Sequence, residues 1–171
     1  KSDRMSQRLR ELAFLNSGLE IVFTDERNSA AAPERYFYRD GVEEFVRQLN
    51  KSKVPLHPKP ISFTKQTRLK NEDKEIEVHC EVVLQYNDSY NDQVLCYTNT
   101  IHNPDGGAHL SGFRSALTRA INQYAKSNEL LKDKDPQITG DDVREGLTAV
   151  ISVKHSDPKF ESQTKVKLIS P

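Results

Sequence analysis

The sequence predicts a single α+β domain in which a mixed sheet packs against helices. Apolar residues recur with helical spacing in some stretches and alternate in others, so both kinds of element are expected. The 171 residues are a usual size for one domain, and the chain has no internal repeat and no obvious linker. The hydrophobic fraction of 35% is low, but it is periodic enough to build a core.

The chain begins with an expected helix and two short strands. The apolar face of that helix is formed by Met5, Leu9, Leu12 and Ala13. Gly18 suits the left-handed conformation that ends many helices. Alternation over residues 19–23 then predicts a half-buried strand, and Tyr36 and Tyr38 predict a second one.

A second helix and a stiff connection follow. The segment 40–43 resembles a capping box, and apolar residues follow it at helical spacing: Val42, Phe45, Val46 and Leu49. The next segment cannot be helix interior because it contains Pro55, Pro58 and Pro60. It leads into an extended segment at residues 61–63.

The clearest period-two pattern lies between residues 76 and 84. Its apolar positions are Ile76, Val78, Cys80, Val82 and Leu84. A polar turn at 87–92 separates it from another apolar segment at 94–98, so the two segments are predicted to form a hairpin.

The last third of the chain predicts two helices and a strand. After the break at Gly106 and Gly107, apolar spacing predicts a long helix from Phe113 to about Leu131. Thr139 with Asp142 is expected to cap a short helix. The apolar segment 147–153, bounded by turn residues, predicts a strand.

Composition limits the classes of partner. Lys plus Arg equals Asp plus Glu at 25 each, so any DNA contact must come from a local cluster of charge. No apolar run reaches the roughly 18 residues of a membrane span, and no signal-peptide pattern opens the chain. The two cysteines, Cys80 and Cys96, fit reduced thiols with a structural role. The expected location is therefore the cytoplasm, without membrane contact.

Self-contained catalytic chemistry is not expected. The sequence has no His-Glu-x-x-His, no Cys-x-x-Cys, no Walker-type loop and no Gly-x-Ser-x-Gly. The five histidines lack metal-ligand spacing and are expected to be surface or hydrogen-bonded structural residues, so no metal site is predicted. If the chain serves an enzyme, the nucleotide pocket is expected to lie outside it.

Several longer motifs carry a family resemblance. They are Arg-Leu-Arg-Glu-Leu-Ala-Phe-Leu-Asn-Ser-Gly at 8–18, Asp-Gly-Gly-Ala-His-Leu-Ser-Gly-Phe-Arg at 105–114, Thr-Gly-Asp-Asp-Val-Arg-Glu-Gly-Leu at 139–147 and Asp-Pro-Lys-Phe-Glu-Ser-Gln-Thr-Lys at 157–165. In this order they resemble the second, transducer, domain of the ATPase region in DNA gyrase B subunits, which are bacterial type IIA topoisomerases. Ala108 stands where the family usually has threonine, which removes one hydroxyl.

The resemblance implies a fold and a setting. The fold is the ribosomal protein S5 domain 2-like α+β fold, and residues 1–171 correspond to one transducer domain excised from a larger subunit. The nucleotide-binding domain and the C-terminal region of that subunit are then absent, and the fragment alone is expected to bind no ATP and to be inactive. The parent enzyme uses ATP and Mg²⁺, joins gyrase A in an A2B2 heterotetramer, dimerises its B subunits with ATP and acts on double-stranded DNA.

The resemblance also assigns Gln163 and Lys165 to the terminal phosphate of ATP. On spacing alone these two residues read as ordinary solvated loop residues. In the family, the lysine of this Gln-Thr-Lys loop touches the γ-phosphate, and lysine suits that role as a compact cation with three donors. No such support exists for Lys159 and Lys167, which are expected to be surface charges.

A second candidate surface is the helix after Gly112, where the resemblance implies a cavity that receives DNA. Arg114 and Arg119 are the candidate DNA contacts, to phosphates and without sequence readout. The alternative is a solvated helix face with Arg114 in an ion pair inside the domain. Two alternative functions also stay open: the B subunit of topoisomerase IV, and a noncatalytic nucleic-acid-binding domain of the S5-like fold.

Overall fold

The computed structural model describes residues 2–28, 30–71 and 74–170, with the backbone alone at Asn71. The expected α+β class is confirmed. The elements in chain order are α1 Ser2–Leu15, β1 Glu20–Phe23, β2 Glu34–Phe37, α2 Val42–Leu49, β3 Ile61–Asn71, β4 Lys74–Tyr86, β5 Gln93–Thr98, β6 Ile101–His102, α3 Ala108–Ser127, α4 Gly140–Arg144 and β7 Leu147–His155.

The strands form two sheets. β1 and β2 pair as a two-stranded antiparallel sheet, and the larger sheet has the order β3-β4-β7-β5-β6. Strand β7 runs antiparallel to β4 and parallel to β5, so the larger sheet is mixed. The last strand of the chain therefore lies at the centre of the sheet, where hydrogen bonds hold both of its edges.

The predicted hairpin between residues 76–84 and 94–98 is wrong. The β4 segment pairs instead with β3 on one side and with β7 on the other, and β5 lies beyond β7. The physical reason is β7 itself, whose residues 147–153 are all buried, including the polar Thr148 and Ser152. A strand of this kind has to be covered on both faces. It lies at the centre of the sheet between β4 and β5, so these two strands do not pair directly.

The larger sheet carries helices on both faces. On one face, Phe14 of α1 and Phe45 of α2 pack with Val83 and Val150. On the other face, Phe113 of α3 packs with the neighbouring, oppositely directed side chains of the same strands, which include Val82, Leu84, Ala149 and Ile151. This alternation along β4 and β7 explains why the sheet carries two layers of core, and it fixes α3 against the sheet.

The helix ends agree only partly with the predictions. Thr139 and Asp142 form the expected capping box at α4. The expected capping box at residues 40–43 is wrong, because the N-cap of α2 is Gly41, which has no side chain to accept the bond. There the Asp40 N–H donates to Glu44 Oε1 at 2.9 Å instead.

Helix α3 has about the expected length but lies closer to the N-terminus, since it begins at Ala108 rather than at Phe113. It ends at Ser127, and Glu129 then takes a positive φ of 58°. The N–H groups of Leu130 and Leu131 turn back to the Ala125 carbonyl at 2.8 and 3.2 Å. Across the described parts of the chain, no helix is both long and apolar enough to cross a membrane.

Candidate functional site

The segment that follows β7, residues 156–170, is called the C-terminal loop below. It contains no regular strand, but it closes on itself through backbone bonds. The Glu161 N–H donates to the Lys167 carbonyl at 3.0 Å, and the Ile169 N–H donates to the Lys159 carbonyl at 2.9 Å. Gln163 and Lys165 lie between these bonds, so the structure brings the two predicted residues together at the tip of the C-terminal loop.

The C-terminal loop is hydrogen-bonded to residues 105–108, which lead into α3 and are called its seat below. The Asp105 N–H donates to the Val166 carbonyl at 3.0 Å, and the Ala108 N–H donates to the Leu168 carbonyl at 2.9 Å. In return, the Leu168 N–H donates to the Gly106 carbonyl at 3.0 Å. These three bonds fix the backbone immediately on the C-terminal side of Lys165.

The seat requires glycine at position 107. Gly107 has a φ of 134°, and a Cβ built there would lie 2.1 Å from the Leu168 carbonyl oxygen. Backbone atoms cannot give way as a flexible side chain does, so any larger residue pushes the C-terminal loop off its seat. Sequence reasoning treated the two consecutive glycines as a break and a family marker, and it missed this role.

At the tip, Gln163 is exposed and Lys165 is partly buried. Lys165 has a φ of 58°, and its N–H closes a turn by donating to the Ser162 carbonyl at 3.0 Å. Its ammonium lies 5.9 Å from the centre of the Phe160 ring. The side chain is thus directed by a turn in which non-glycine residues are uncommon.

The charges of the two neighbouring lysines differ in their surroundings. Lys167 Nζ lies 3.3 Å from Glu161 Oε1 and forms an ion pair. Within residues 2–28, 30–71 and 74–170, no carboxylate lies within 4.0 Å of the Lys165 ammonium. The charge of Lys165 is therefore available to an anion from outside these residues, whereas that of Lys167 is partly neutralised.

One further side chain reaches Lys165, and sequence reasoning missed it. Asn103 is 1% exposed, and its Nδ2 donates to the Lys165 carbonyl at 2.7 Å. Its Oδ1 accepts from the Thr98 hydroxyl at 2.7 Å. Nothing in the local sequence marks this residue, because its contact with Lys165 spans 62 positions.

Arg114 and Arg119 lie on the outward face of α3, beside a groove of about 690 Å³. Other residues that line this groove are Thr118, Asn122, Lys126 and Arg144. Arg114 and Arg144 each approach Asp92 at 3.8 Å, so the expected intradomain ion pair of Arg114 is present but long. Arg119 is exposed, and in the described ranges no carboxylate lies within ion-pair distance of it.

His109 differs from what the sequence suggested. It is neither a surface residue nor a hydrogen-bonded one, because both ring nitrogens are buried without a hydrogen-bond partner in the described chain. Burial lowers the pKa of His109 to about 4, so the ring is neutral at pH 7.

The two cysteines are poor nucleophiles. Burial raises the pKa of the Cys96 thiol to about 11 and raises the pKa of Cys80 as well. Among the residues that the structure describes, no three His, Cys, Asp or Glu side chains are grouped as a metal site. What this part of the molecule offers chemically is the binding of anions, through Lys165 at one place and through α3 at another.

Comparison with known proteins identifies the family. Residues 41–171 match the family model described as DNA gyrase B. The chain is 50% identical over 166 residues to the DNA gyrase B protein of Caulobacter vibrioides, a match that covers 97% of the chain and 20% of that relative. It is 46% identical to the DNA gyrase B protein of Enterococcus faecalis, over 97% of the chain and 25% of that relative.

A solved structure agrees with this result. The 43K ATPase domain of Thermus thermophilus gyrase B, solved in complex with an aminocoumarin, is 39% identical with a TM-score of 0.80. The match covers 100% of this chain and 43% of that one. The chain thus spans about a fifth to a quarter of the length of the curated relatives cited. Because the family model covers most of the chain, the chain belongs to the DNA gyrase B family.

Proposed function

We propose that residues 1–171 form the transducer domain of an ATP-dependent DNA gyrase B protein. In this proposal Gln163 and Lys165 contact the γ-phosphate of ATP, and their contact couples hydrolysis to DNA strand passage and negative supercoiling. The observation that carries the proposal is the Lys165 ammonium, which has no carboxylate partner in the described residues although backbone bonds pin the loop around it.

The energetics suit a sensor. Hydrogen bonds to charged groups are worth about 1.5–3 kcal/mol each. Contacts from Lys165 and Gln163 together would therefore bias a domain rotation by several kcal/mol while the γ-phosphate is present. Because ADP lacks that phosphate, hydrolysis removes the differential contact, as a nucleotide switch requires. The backbone bonds to residues 105–108 would transmit the loop position to α3 and to the sheet.

ATP and Mg²⁺ would be held mainly by other parts of the full-length protein. The described residues supply one ammonium and one amide for the phosphate, and no group of carboxylates or histidines for a cation. Mg²⁺ would therefore accompany the nucleotide and be bound elsewhere, and the present chain would contribute recognition of the phosphate end alone.

The outward face of α3 is the proposed contact with double-stranded DNA. Arg119 and Arg114 line an open polar groove, and cations on such a face bind phosphates without reading sequence. The full-length protein would act with gyrase A in an A2B2 heterotetramer, and two gyrase B copies would dimerise around the duplex with ATP. Phosphate contacts of this kind make DNA affinity fall steeply with salt.

Two alternatives to this function are separated by different assays. The B subunit of a topoisomerase IV would support decatenation without introducing negative supercoils, so the reconstituted enzyme distinguishes the two. A noncatalytic nucleic-acid-binding domain of the same fold would have no use for Lys165, so substitution there would leave any nucleotide-dependent activity unchanged.

The decisive experiment substitutes Lys165 in the full-length protein. Lys165→Ala is expected to lower ATP turnover and coupled supercoiling by about 10-fold or more, because a charge-assisted contact is lost. ADP affinity should change little, because ADP lacks the group that Lys165 contacts. Hydrolysis and nucleotide affinity are measured in parallel on each variant.

Two variants control this experiment. Lys165→Gln keeps a hydrogen-bond donor on a side chain one atom shorter but loses the charge, so it should rescue turnover poorly. Lys167→Ala removes a neighbouring lysine that is paired with Glu161, and it should behave like the unsubstituted protein. Unchanged turnover in Lys165→Ala, or an equal loss in Lys167→Ala, would contradict the proposal.

A further inference from the structure

We infer that Asn103 is a positioning residue for Lys165. The side-chain amide of Asn103 holds the Lys165 backbone so that the ammonium points to the site of the phosphate. This inference rests on the proposed function, because it assigns Asn103 a role in the work of Lys165. The relevant contacts are the 2.7 Å bond from Asn103 Nδ2 to the Lys165 carbonyl and the 2.7 Å bond from the Thr98 hydroxyl to Asn103 Oδ1.

Lys165 adopts a backbone conformation that has to be held by its neighbours. Its φ of 58° is one that a lysine adopts only when its surroundings fix it. The turn bond from its own N–H to Ser162 fixes one side of the residue, and the Asn103 amide fixes the carbonyl on the other side. This backbone conformation sets the direction of the Lys165 Cα–Cβ bond, so the Asn103 bond limits the region that the ammonium can reach.

Asn103 is itself held rigidly. It is 1% exposed, and its N–H donates to the Cys96 carbonyl at 2.8 Å. Its partner Thr98 is 0% exposed and lies in β5, where it is in register with Val153 of the central strand β7. A continuous path of hydrogen bonds therefore runs from the middle of the sheet to the backbone of Lys165.

A second buried asparagine, Asn50, lies in a different hydrogen-bond network. Asn50 is 3% exposed, and its side chain bonds to Gln85, Asn87 and Thr148, all of which are buried. That network joins the end of α2 to β4 and β7 and does not involve the C-terminal loop. The two asparagines thus have similar burial and similar hydrogen bonding, but only the network of Asn103 ends at Lys165.

The test compares the same substitution at the two asparagines in the full-length protein. Asn103→Leu keeps the approximate size of the side chain and removes its hydrogen bonds, and Asn50→Leu does the same in the core network. At a temperature where both proteins are folded by circular dichroism, Asn103→Leu should lower ATP turnover about 5-fold, the equivalent of one ordinary hydrogen bond. Asn50→Leu should leave turnover per folded molecule unchanged.

A double-mutant cycle with Lys165→Ala separates positioning from a general structural effect. If Asn103 acts through Lys165, adding Asn103→Leu to Lys165→Ala should lower turnover no further. ADP affinity should be unchanged in all variants, since the phosphate that Lys165 contacts is absent. If Asn103→Leu fails to fold, Thr98→Val takes its place in the cycle, because it removes only the hydroxyl that orients the amide.

The outcomes are distinct. Unchanged turnover in Asn103→Leu, or losses that multiply in the double variant, overturns the inference while leaving the role of Lys165 intact. An equal fall in Asn50→Leu also overturns it, because buried amide networks would then matter generally. Unchanged turnover in Lys165→Ala itself overturns the proposed function and removes the ground for the inference.

Discussion

The first turn of α3 and the outward face of the same helix are built in opposite ways. At the first turn, a Cβ at Gly107 would meet the Leu168 carbonyl oxygen at 2.1 Å, and the ring nitrogens of His109 are buried. On the outward face, a Cβ at Gly112 would meet nothing within 4 Å, and Arg119 is exposed beside the groove. One end of the helix is fitted to its own chain, and the face has room for another molecule.

The difference follows from what each region has to do in the proposed function. A loop that positions a charge against a phosphate needs a seat that allows one arrangement, because misplacement of a contact group reduces its effect sharply. A surface that contacts DNA phosphates without reading sequence needs cations in open space, and it tolerates variation between them. The two regions should therefore respond differently to substitution.

The largest effect is expected at the seat of the C-terminal loop. Gly107→Ala places a methyl group against backbone atoms that cannot move aside, at a φ of 134° that alanine rarely adopts. We expect the unfolding free energy to fall by about 4 kcal/mol, or the C-terminal loop to leave its seat. Thermal unfolding measures the first result, and faster trypsin cleavage after Lys165 measures the second.

Unchanged stability together with unchanged protease resistance in Gly107→Ala would show that the C-terminal loop is not held as the structure indicates. A more informative outcome is faster trypsin cleavage after Lys165 with no change in the unfolding free energy. In that case the sheet and its hydrophobic clusters do not depend on the seated loop, and the seat serves the position of Lys165 rather than the fold.

Much of the fold could be predicted because the signals were local. The presence of α1, the alternation of β4 and the cap of α4 by Thr139 and Asp142 each depend on residues a few positions apart. The predicted apolar face of α1 is only partly right, because Met5 is exposed and the helix buries Phe14 and Leu15. The order of the strands could not be predicted in this way. Strand β7 inserts between two strands that are adjacent in sequence, and this choice depends on contacts across more than fifty positions.

The candidate site shows the same division. Lys165 and Gln163 could be named from the resemblance, since spacing alone left them as ordinary loop residues. Asn103 could not be named, because a polar residue in a coil carries no mark of the carbonyl that it will meet after folding. The role of Gly107 could have been suspected from two consecutive glycines, but its partner at Leu168 could not.

An effect of intermediate size on the stability of the fold is expected from the protonation of His109 at low pH. Burial lowers the pKa of His109 to about 4 in the folded chain, below the ordinary value of 6.5. The unfolded state therefore binds the proton first, so stability is full above about pH 6.5 and falls as the pH decreases towards 4. The loss reaches about 3 kcal/mol near pH 4, since one pKa unit is worth about 1.4 kcal/mol.

Urea unfolding at several pH values measures this effect. His109→Leu should flatten the dependence between pH 4 and 6.5 without abolishing it, because burial also lowers the pKa of His155. The control is His102→Gln, which changes an exposed histidine on the edge strand β6 and should keep the original slope. An unaltered slope in His109→Leu would mean that the ring is hydrated in solution.

The smallest effect, and the only gain, is expected on the outward face. Gly112 lies inside α3, where glycine costs about 0.5–1 kcal/mol relative to alanine, and its added Cβ would meet nothing within 4 Å. Gly112→Ala should therefore raise the melting temperature of the 171-residue chain by about 1–4 °C, the reverse of Gly107→Ala.

The same substitution in the assembled enzyme tests whether another molecule contacts the outward face of α3. A gain in the isolated chain combined with a loss of DNA-stimulated turnover in the assembly would show that another molecule approaches the helix closely at this position. A gain in both would show that no other molecule packs closely against the helix at Gly112.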